Sequence, residues 1–313
     1  MGINVLSLFD GISGAQVALN RANIEYDTYI ASEVDKNAME VTNKNYPNTI
    51  QLGDVHHINK YDLPEIDLLI AGSPCQGFSW AGKRLNFDDP RSKLFFEFDK
   101  LLNKLQPKYF MLENVVMAEE SIQVINTCLG VDPIKINSSL VSAQNRRRLY
   151  WTNIPNVSQP DDRGIKLEDV VEPDALIDRE KAHAIIGSIG RTTHREHFKK
   201  HQGQMVYIAI MLSNIYGGFK EKRPRVHLGK SATIRTASGG GHIPSLIIEG
   251  VEKEFLLEDF KSFIRKVTPL ECERLQTLPD NYTEGCSNTQ RYKMIGNGFT
   301  VDVVAHILKG MKG

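Results

Sequence analysis

The chain has 313 residues, enough for one large domain or two of unequal size, and its 41% hydrophobic and 24% charged content is that of an ordinary globular protein. Lys plus Arg and Asp plus Glu are equal at 38 each, which excludes a strongly basic or acidic chain, and no apolar run approaches the ~20 residues of a membrane span. Four cysteines (Cys75, Cys128, Cys272 and Cys286) show no metal-ligand spacing, so neither zinc nor a disulfide framework is expected.

Met1-Gly2-Ile3-Asn4 lacks the basic start of a signal peptide, and residue 6 is Leu where a myristoylation signal carries Ser or Thr. A cytoplasmic protein is therefore expected. The apolar runs Val5–Phe9, Thr28–Ser32, Leu68–Ala71 and Tyr109–Leu112 predict buried strands. Between them, Ala15–Ala22, Lys36–Asn45 and Lys93–Leu105 place apolar residues at three- and four-residue spacing and predict helices. Strands alternating with helices predict an α/β fold with a parallel sheet covered on both faces. Ligands of such sheets sit at the carboxyl ends of the strands. Gly11, Gly14, Glu33, Asp54 and Cys75 all fall at or just after such ends.

From about Pro155 the pattern changes to proline and glycine punctuation, with isolated strands expected at Val206–Leu212 and Ser245–Ile248. Between Lys181 and Arg235 there are 11 Lys/Arg against 2 Asp/Glu, so the neutral total hides a basic segment suited to phosphates. Thr268-Pro269-Leu270-Glu271 has the form of a helix start, with a capping Thr, Pro at the first position and an acid in the first turn. Val301–Met311 reads as an amphipathic helix. The expected division is 1–155 and 265–313 as one discontinuous unit, with 156–264 as a smaller, irregular one.

Three constellations carry chemistry. Phe9-Asp10-Gly11-Ile12-Ser13-Gly14 lies between a strand and a helix, where glycines allow a tight turn and close ligand approach. Glu33, about 20 residues on, suits ribose hydroxyls, and Asp54 suits an amino group such as that of adenine. Gly-Lys-Ser/Thr is absent and acids flank the turn, so a ligand without phosphates is expected, such as S-adenosylmethionine. Cys75, in Gly72-Ser73-Pro74-Cys75-Gln76-Gly77-Phe78-Ser79, is a presented nucleophile. A thiolate adding to C6 of cytosine makes C5 a carbon nucleophile. The charge on the ring then needs a proton at N3, which a buried carboxylic acid can supply, and Glu113 in Glu113-Asn114-Val115 is the candidate. Gln144-Asn145-Arg146-Arg147-Arg148, if extended, points Arg146 and Arg148 to one face and Arg147 to the other.

Six ordered blocks resemble the DNA cytosine-5 methyltransferases. They are the Phe-x-Gly turn, Pro74-Cys75-Gln76, Glu113-Asn114-Val115, Gln144-x-Arg146-x-Arg148, Thr268-Pro269-x-Glu271-x-x-Arg274-Leu275-Gln276 and Gly296-Asn297. The resemblance implies a Rossmann-like S-adenosylmethionine-dependent methyltransferase fold, a mostly parallel sheet with helices on both faces, plus a small target-recognition domain. It implies Cys75 as nucleophile, Glu113 as proton donor at N3, and Arg146 and Arg148 holding the base and its neighbours. It implies cofactor contacts from Phe9, Asp10, Gly11, Gly14, Glu33, Val34, Asp54, Val55, Leu94 and Asn297, with Pro74 shaping the loop beside them. Gln76, Ser79 and Arg147 are expected on the DNA side. Thr233-Ile234 matches a Thr-aliphatic pair that the family carries in its recognition domain, with Arg235 beside it.

Ser13 departs from the commonest pattern, which has paired glycines at 13 and 14. Ser92–Phe98, with Glu113–Val116 and the terminal block, resembles the animal de novo methyltransferases, although a phage or bacterial origin fits a chain without regulatory modules. Double-stranded DNA is the expected partner, with no membrane and no metal. A monomer is the default state and a homo-oligomer the alternative. Two other readings stand beside this one: an RNA (tRNA) cytosine-5 methyltransferase, against which the basic segment argues, and a non-catalytic DNA-binding protein on the same scaffold.

Overall fold

The computed structural model describes residues 2–72, 93–172, 180–185 and 264–312, together with strands at 175–176, 205–208, 210–213, 225–228 and 245–246. Its centre is a seven-stranded sheet. The first half contributes β1 (Ile3–Leu8), α1 (Gly14–Arg21), β2 (Tyr26–Ser32), α2 (Lys36–Asn45), β3 (Ile50–Gln51), β4 (Leu68–Gly72), α3 (Lys93–Leu105), β5 (Tyr109–Val115) and α4 (Glu119–Leu129). Then follow β6 (Ile134–Asn137), β7 (Gln144–Asn145) and β8 (Arg147–Thr152). The strand order is β3-β2-β1-β4-β5-β8-β6. All pairs from β3 to β5 are parallel, while β8 runs antiparallel to both β5 and β6. This is the expected α/β, mostly parallel architecture. The order reverses between β1 and β4, and a crevice for ligands opens at the carboxyl ends of strands flanking such a reversal.

Alternate residues of each central strand feed two cores. Val5, Leu68, Ile70 and Met111 pack on one face with α1. Leu6, Leu8, Leu69, Ala71, Phe110 and Leu112 pack on the other with Phe95, Phe98 and Leu101 of α3. This two-sided burial explains why the strands read as continuous apolar runs rather than alternating ones.

Three elements differ from expectation. β5 runs on to Val115, because β8 pairs with it through Glu113↔Tyr150 and Val115↔Arg148, so Glu113 lies within a strand rather than after one. The terminal helix stops at Leu308 and tightens into a 3-10 turn over Lys309–Lys312. A side chain at Gly310 would stand 2.5 Å from the Pro155 carbonyl oxygen, so the chain passes Pro155 only with glycine there. Val206–Leu212 is two strands, β11 (Met205–Ile208) and β12 (Ile210–Ser213), and neither is isolated. β11 pairs with β9 (Ala175–Leu176) and β15 (Ile264–Lys266), and β12 with β13 (Arg225–Leu228) and β14 (Ser245–Leu246). β14 covers the first part of the expected Ser245–Ile248; Ile247 and Ile248 lie outside the described residues. Two-residue β10 (Ala182–His183) pairs with β7.

The last segment carries α5 (Pro269–Leu275), α6 (Asn288–Asn297) and α7 (Val301–Leu308). Thr268 and Glu271 form a reciprocal capping box with Pro269 at the first turn. The segment lies against the first: the Tyr282 hydroxyl donates to the Ile12 carbonyl (2.7 Å), Lys293 pairs with Asp35 (2.6 Å), and Arg21 pairs with Asp302 (2.5 Å). Leu167, Val170, Ala182 and Ile185 share the same core cluster as α1 and α7, so the stretch up to Ile185 packs with residues on both sides of it in sequence.

Candidate active site

The turn after β1 is left-handed at Phe9 (φ 54°), Gly11 (φ 60°) and Ser13 (φ 56°). Glu33, just past β2, ties it down. Its Oε2 accepts from the Gly11 N–H (2.8 Å), and its Oε1 from the N–H groups of Val34 (2.7 Å) and Asp35 (2.8 Å). A carboxylate has about four acceptor positions, so room remains for a ribose hydroxyl. Val34 stands beside it with its side chain 68% exposed, a bare apolar surface at the mouth of the crevice. Asp54 caps the 3-10 turn Val55–Lys60, and hydrogen bonds from the backbone and ring of His56 hold its carboxyl below the ordinary range. Val55 is 4% exposed and part of the core, so only its backbone can face a ligand. Phe9 and Leu94 both pack, partly buried, on the α3-side core.

Asp10 does not flank the crevice with its carboxylate. The side chain turns inward, 5% exposed, and accepts from Ser13 Oγ and from the Tyr29 hydroxyl (2.6 Å). Burial pushes its pKa up to about 6, against the opposing effect of these hydroxyls, and Glu33 adds to the rise. Of the acids at this turn, Glu33 thus meets it from the side and Asp10 from beneath. The chain leaves the strand at Leu8, and the left-handed Phe9 turns Asp10 under the loop, to the side of Ser7 and Tyr29.

Across the reversal point, β4 and β5 are in register with Gly72 opposite Glu113. Glu113 is 8% exposed and pairs with Arg148 Nε at 3.0 Å. The two are neighbours because Arg148 sits opposite Val115, two residues from Glu113 on the same face. Arg147 faces outward, exposed, and its carbonyl accepts from Arg148 Nη1 (2.9 Å). Arg146 shares a side with Arg148 but not its partner. It is 4% exposed and donates to the carbonyls of Ile185 (3.1 Å), Gly296 (3.3 Å) and Gly298 (3.1 Å). The carbonyls at the end of α6 have no partners within the helix, and a buried guanidinium satisfies them with charge-assisted bonds. Gln276 donates to two of the same group, Ile295 (3.0 Å) and Gly298 (3.3 Å). These bonds hold the end of α6, with Asn297 exposed upon it.

Sequence reasoning missed Phe299. Its ring lies against the end of β4 and the start of α1: a side chain at Gly72 would come within 2.9 Å of it, and one at Gly14 within 3.7 Å. The position after Gly296-Asn297-Gly298 was the only available signal. Pro74, Cys75, Gln76, Ser79, Thr233, Ile234 and Arg235 lie outside the described residues. Among the described residues, no cluster of His, Cys, Asp and Glu could hold a metal ion, and no helix is long and apolar enough to cross a membrane.

A family model described as C-5 cytosine-specific DNA methylase matches residues 3–128 and 136–313. The chain is 27% identical to the Type II methyltransferase M.HhaI of Haemophilus parahaemolyticus, over 98% of this chain and 93% of that one. It is 28% identical to the Type II methyltransferase M1.ScrFI of Lactococcus lactis subsp. cremoris (98% and 77%). It is also 39% identical, over 49% of its length and 38% of the relative's, to the orphan methyltransferase M.SPRI of Bacillus phage SPR. Among solved structures it shares its fold with the Entamoeba histolytica methyltransferase EhMeth (TM-score 0.69, 17% identity, 99% and 98% covered). The S. pombe Dnmt2 methyltransferase is similar in the same way (TM-score 0.66, 19% identity, 98% and 97% covered). The chain belongs to the C-5 cytosine-specific DNA methylase family, enzymes that methylate cytosine in DNA at C5 using S-adenosylmethionine.

Proposed function

We propose that Cys75 is the nucleophile, Glu113 the acid at N3, and Arg148 the group that orients Glu113 and reaches the base. The observation that carries this is the β4–β5 register. Gly72 lies opposite Glu113, and Cys75 is three residues further along the chain, a reach of at most about 10 Å. The target cytosine is taken out of the duplex, since neither C6 nor N3 is accessible within it. Cys75 Sγ bonds to C6 as Glu113 delivers its proton to N3, leaving C5 as an enamine-like nucleophile. Glu113, ionised after that step, is held by the guanidinium of Arg148. After methylation, a water molecule takes the C5 proton as the C5–C6 double bond re-forms and the thiolate leaves, and the proton at N3 returns to Glu113.

The cofactor crevice suits S-adenosylmethionine by the chemistry of its lining. Glu33 offers acceptor capacity for a ribose, exposed Val34 an apolar surface for a flat ring, and Gly11 an open backbone. Bound there, the cofactor supplies the methyl group. Phe9, Gly14, Asp54, Val55, Pro74, Leu94 and Asn297 complete the reading of that site, and Asp10 belongs to it through its backbone. Gln76, Ser79, Arg147, Thr233, Ile234 and Arg235 are proposed on the DNA side, within or beside a recognition unit drawn from 156–264. Arg146 is read as the support of the α6 end. We take the enzyme as monomeric and bacterial or phage in type, with its α3 and Glu-Asn-Val segments similar to those of the animal de novo methyltransferases.

The test is methylation of random-sequence duplex DNA with S-adenosylmethionine, read by bisulfite sequencing, with Cys75→Ser alongside. Methylcytosine in a fixed short context, absent with the variant, is the expected result. Methylation that persists in Cys75→Ser would remove Cys75 from the mechanism.

A further inference from the structure

We infer that Asp10 is a positioning residue: its buried carboxylate fixes Ser13 in the left-handed conformation from beneath and so sets the turn that receives the cofactor. The inference rests on the reading of that turn as the cofactor site.

Ser13 is the N-cap of α1, a position where serine ordinarily takes an extended conformation and accepts from the helix's first N–H groups. Here it does neither. Its φ is 56°, and its hydroxyl makes no capping bond. The hydroxyl instead donates to Asp10, and it accepts from Thr42 of α2 (3.2 Å), whose own hydroxyl also reaches the Gly11 carbonyl (3.5 Å). Left-handed backbone costs a non-glycine residue energy, which something around it must offset. In the commoner motif glycine occupies this position and no offset is needed. In this chain a side chain two residues beyond Leu8, fully inside the protein, supplies it.

The groups facing Asp10 are neutral or acidic. Tyr29 of β2 donates to it, Tyr282 of the last segment lies near enough to feel its charge, and Glu33 at the end of β2 repels it. Among the described residues, the groups that act on it most are the hydroxyls of Ser13, Ser7 and Tyr29 and the carboxylate of Glu33. The acceptor strength that holds Ser13 therefore depends on Asp10's own ionisation, and protonation weakens the hold. Cofactor affinity of the wild type is expected to weaken as pH falls through about 6.

The experiment is calorimetric titration of S-adenosylhomocysteine into wild type, Asp10→Ala, Ser13→Gly, the double variant and Val34→Lys, from pH 5 to 8, with melting curves to confirm folding. Asp10→Ala should weaken binding about tenfold, the scale of a left-handed non-glycine residue's cost. It should also remove the pH dependence near 6. Adding Ser13→Gly should restore affinity, because glycine adopts the turn without help. Affinity unchanged in Asp10→Ala, or unrestored in the double variant, overturns the positioning role. If Val34→Lys also binds as the wild type does, the cofactor does not occupy this crevice and both readings fall; if Val34→Lys alone is weakened, only the role of Asp10 falls.

Discussion

Two carboxylates lie buried towards the same edge of the sheet's strands, one just beyond β1 and one within β5, and their surroundings separate them. Asp10, beyond β1, is 5% exposed among hydroxyls, and its pKa rises to about 6. Glu113, in β5, is 8% exposed and faces the guanidinium of Arg148 at 3.0 Å. The first is an acid held by neutral donors and turned away from the crevice; the second is an acid held by a cation beside the reversal point. Depth of burial does not distinguish the two carboxylates. The partner and the direction do.

The comparison is broken most severely by Glu113→Gln. Single-turnover methylation should slow about 10²–10⁴-fold, the usual contribution of a positioned acid, with cofactor affinity little changed. A rate within threefold of wild type would take Glu113 out of proton transfer. Asp10→Asn tests the other side. The folded-state pKa of Asp10 lies above its unfolded value of 3.8, so the folded protein holds that proton more tightly. Its stability contribution is therefore greatest below about pH 4 and is lost as pH rises through about 6, a difference of about 3 kcal/mol. Denaturant midpoints of wild type relative to Asp10→Asn should fall across that window; a constant difference would contradict it.

Gly72→Ala acts between the two sites. The added methyl would meet Phe299 at 2.9 Å and approach Glu113 Oε2 at 3.8 Å. Overpacking against Phe299 of about 1–3 kcal/mol is expected in the melting curve, and an unchanged midpoint would show that the ring gives way without cost. The smallest effect belongs to the basic segment. Each Lys or Arg between Lys181 and Arg235 that meets a phosphate should, as Ala, lower the slope of log K against log salt by about 1. An unchanged slope across several such variants would place the DNA elsewhere.

Much of the fold was legible. Lys36–Asn45 and Lys93–Leu105 are helices at the expected bounds, and the central strands differ by a few residues at their ends. Continuous apolar runs and three-four spacing are local signals, and two-sided burial makes them strong. β5 was read short because its last residues, Glu113-Asn114-Val115, are polar at the start; their pairing with β8 comes from 33 to 37 residues away. The site was legible as a set of residue types and not as a set of directions. Glu33 accepts from the turn at Gly11, Asp10 holds it from beneath at Ser13, and Arg146 donates to the carbonyls at the end of α6.

The sequence by itself determined the class of fold, the order of the blocks and the identity of the groups able to do the chemistry, because these depend on periodicity, composition and spacing along the chain. Tertiary structure alone decided which carboxylate meets a cation and which meets hydroxyls, and which arginine supports and which one pairs. It also decided that Phe299, more than 200 residues from Gly72, closes against it. Partners distant in sequence are chosen by sheet register and by the packing of the last segment on the first, and a side chain's charge, exposure and direction follow from those partners.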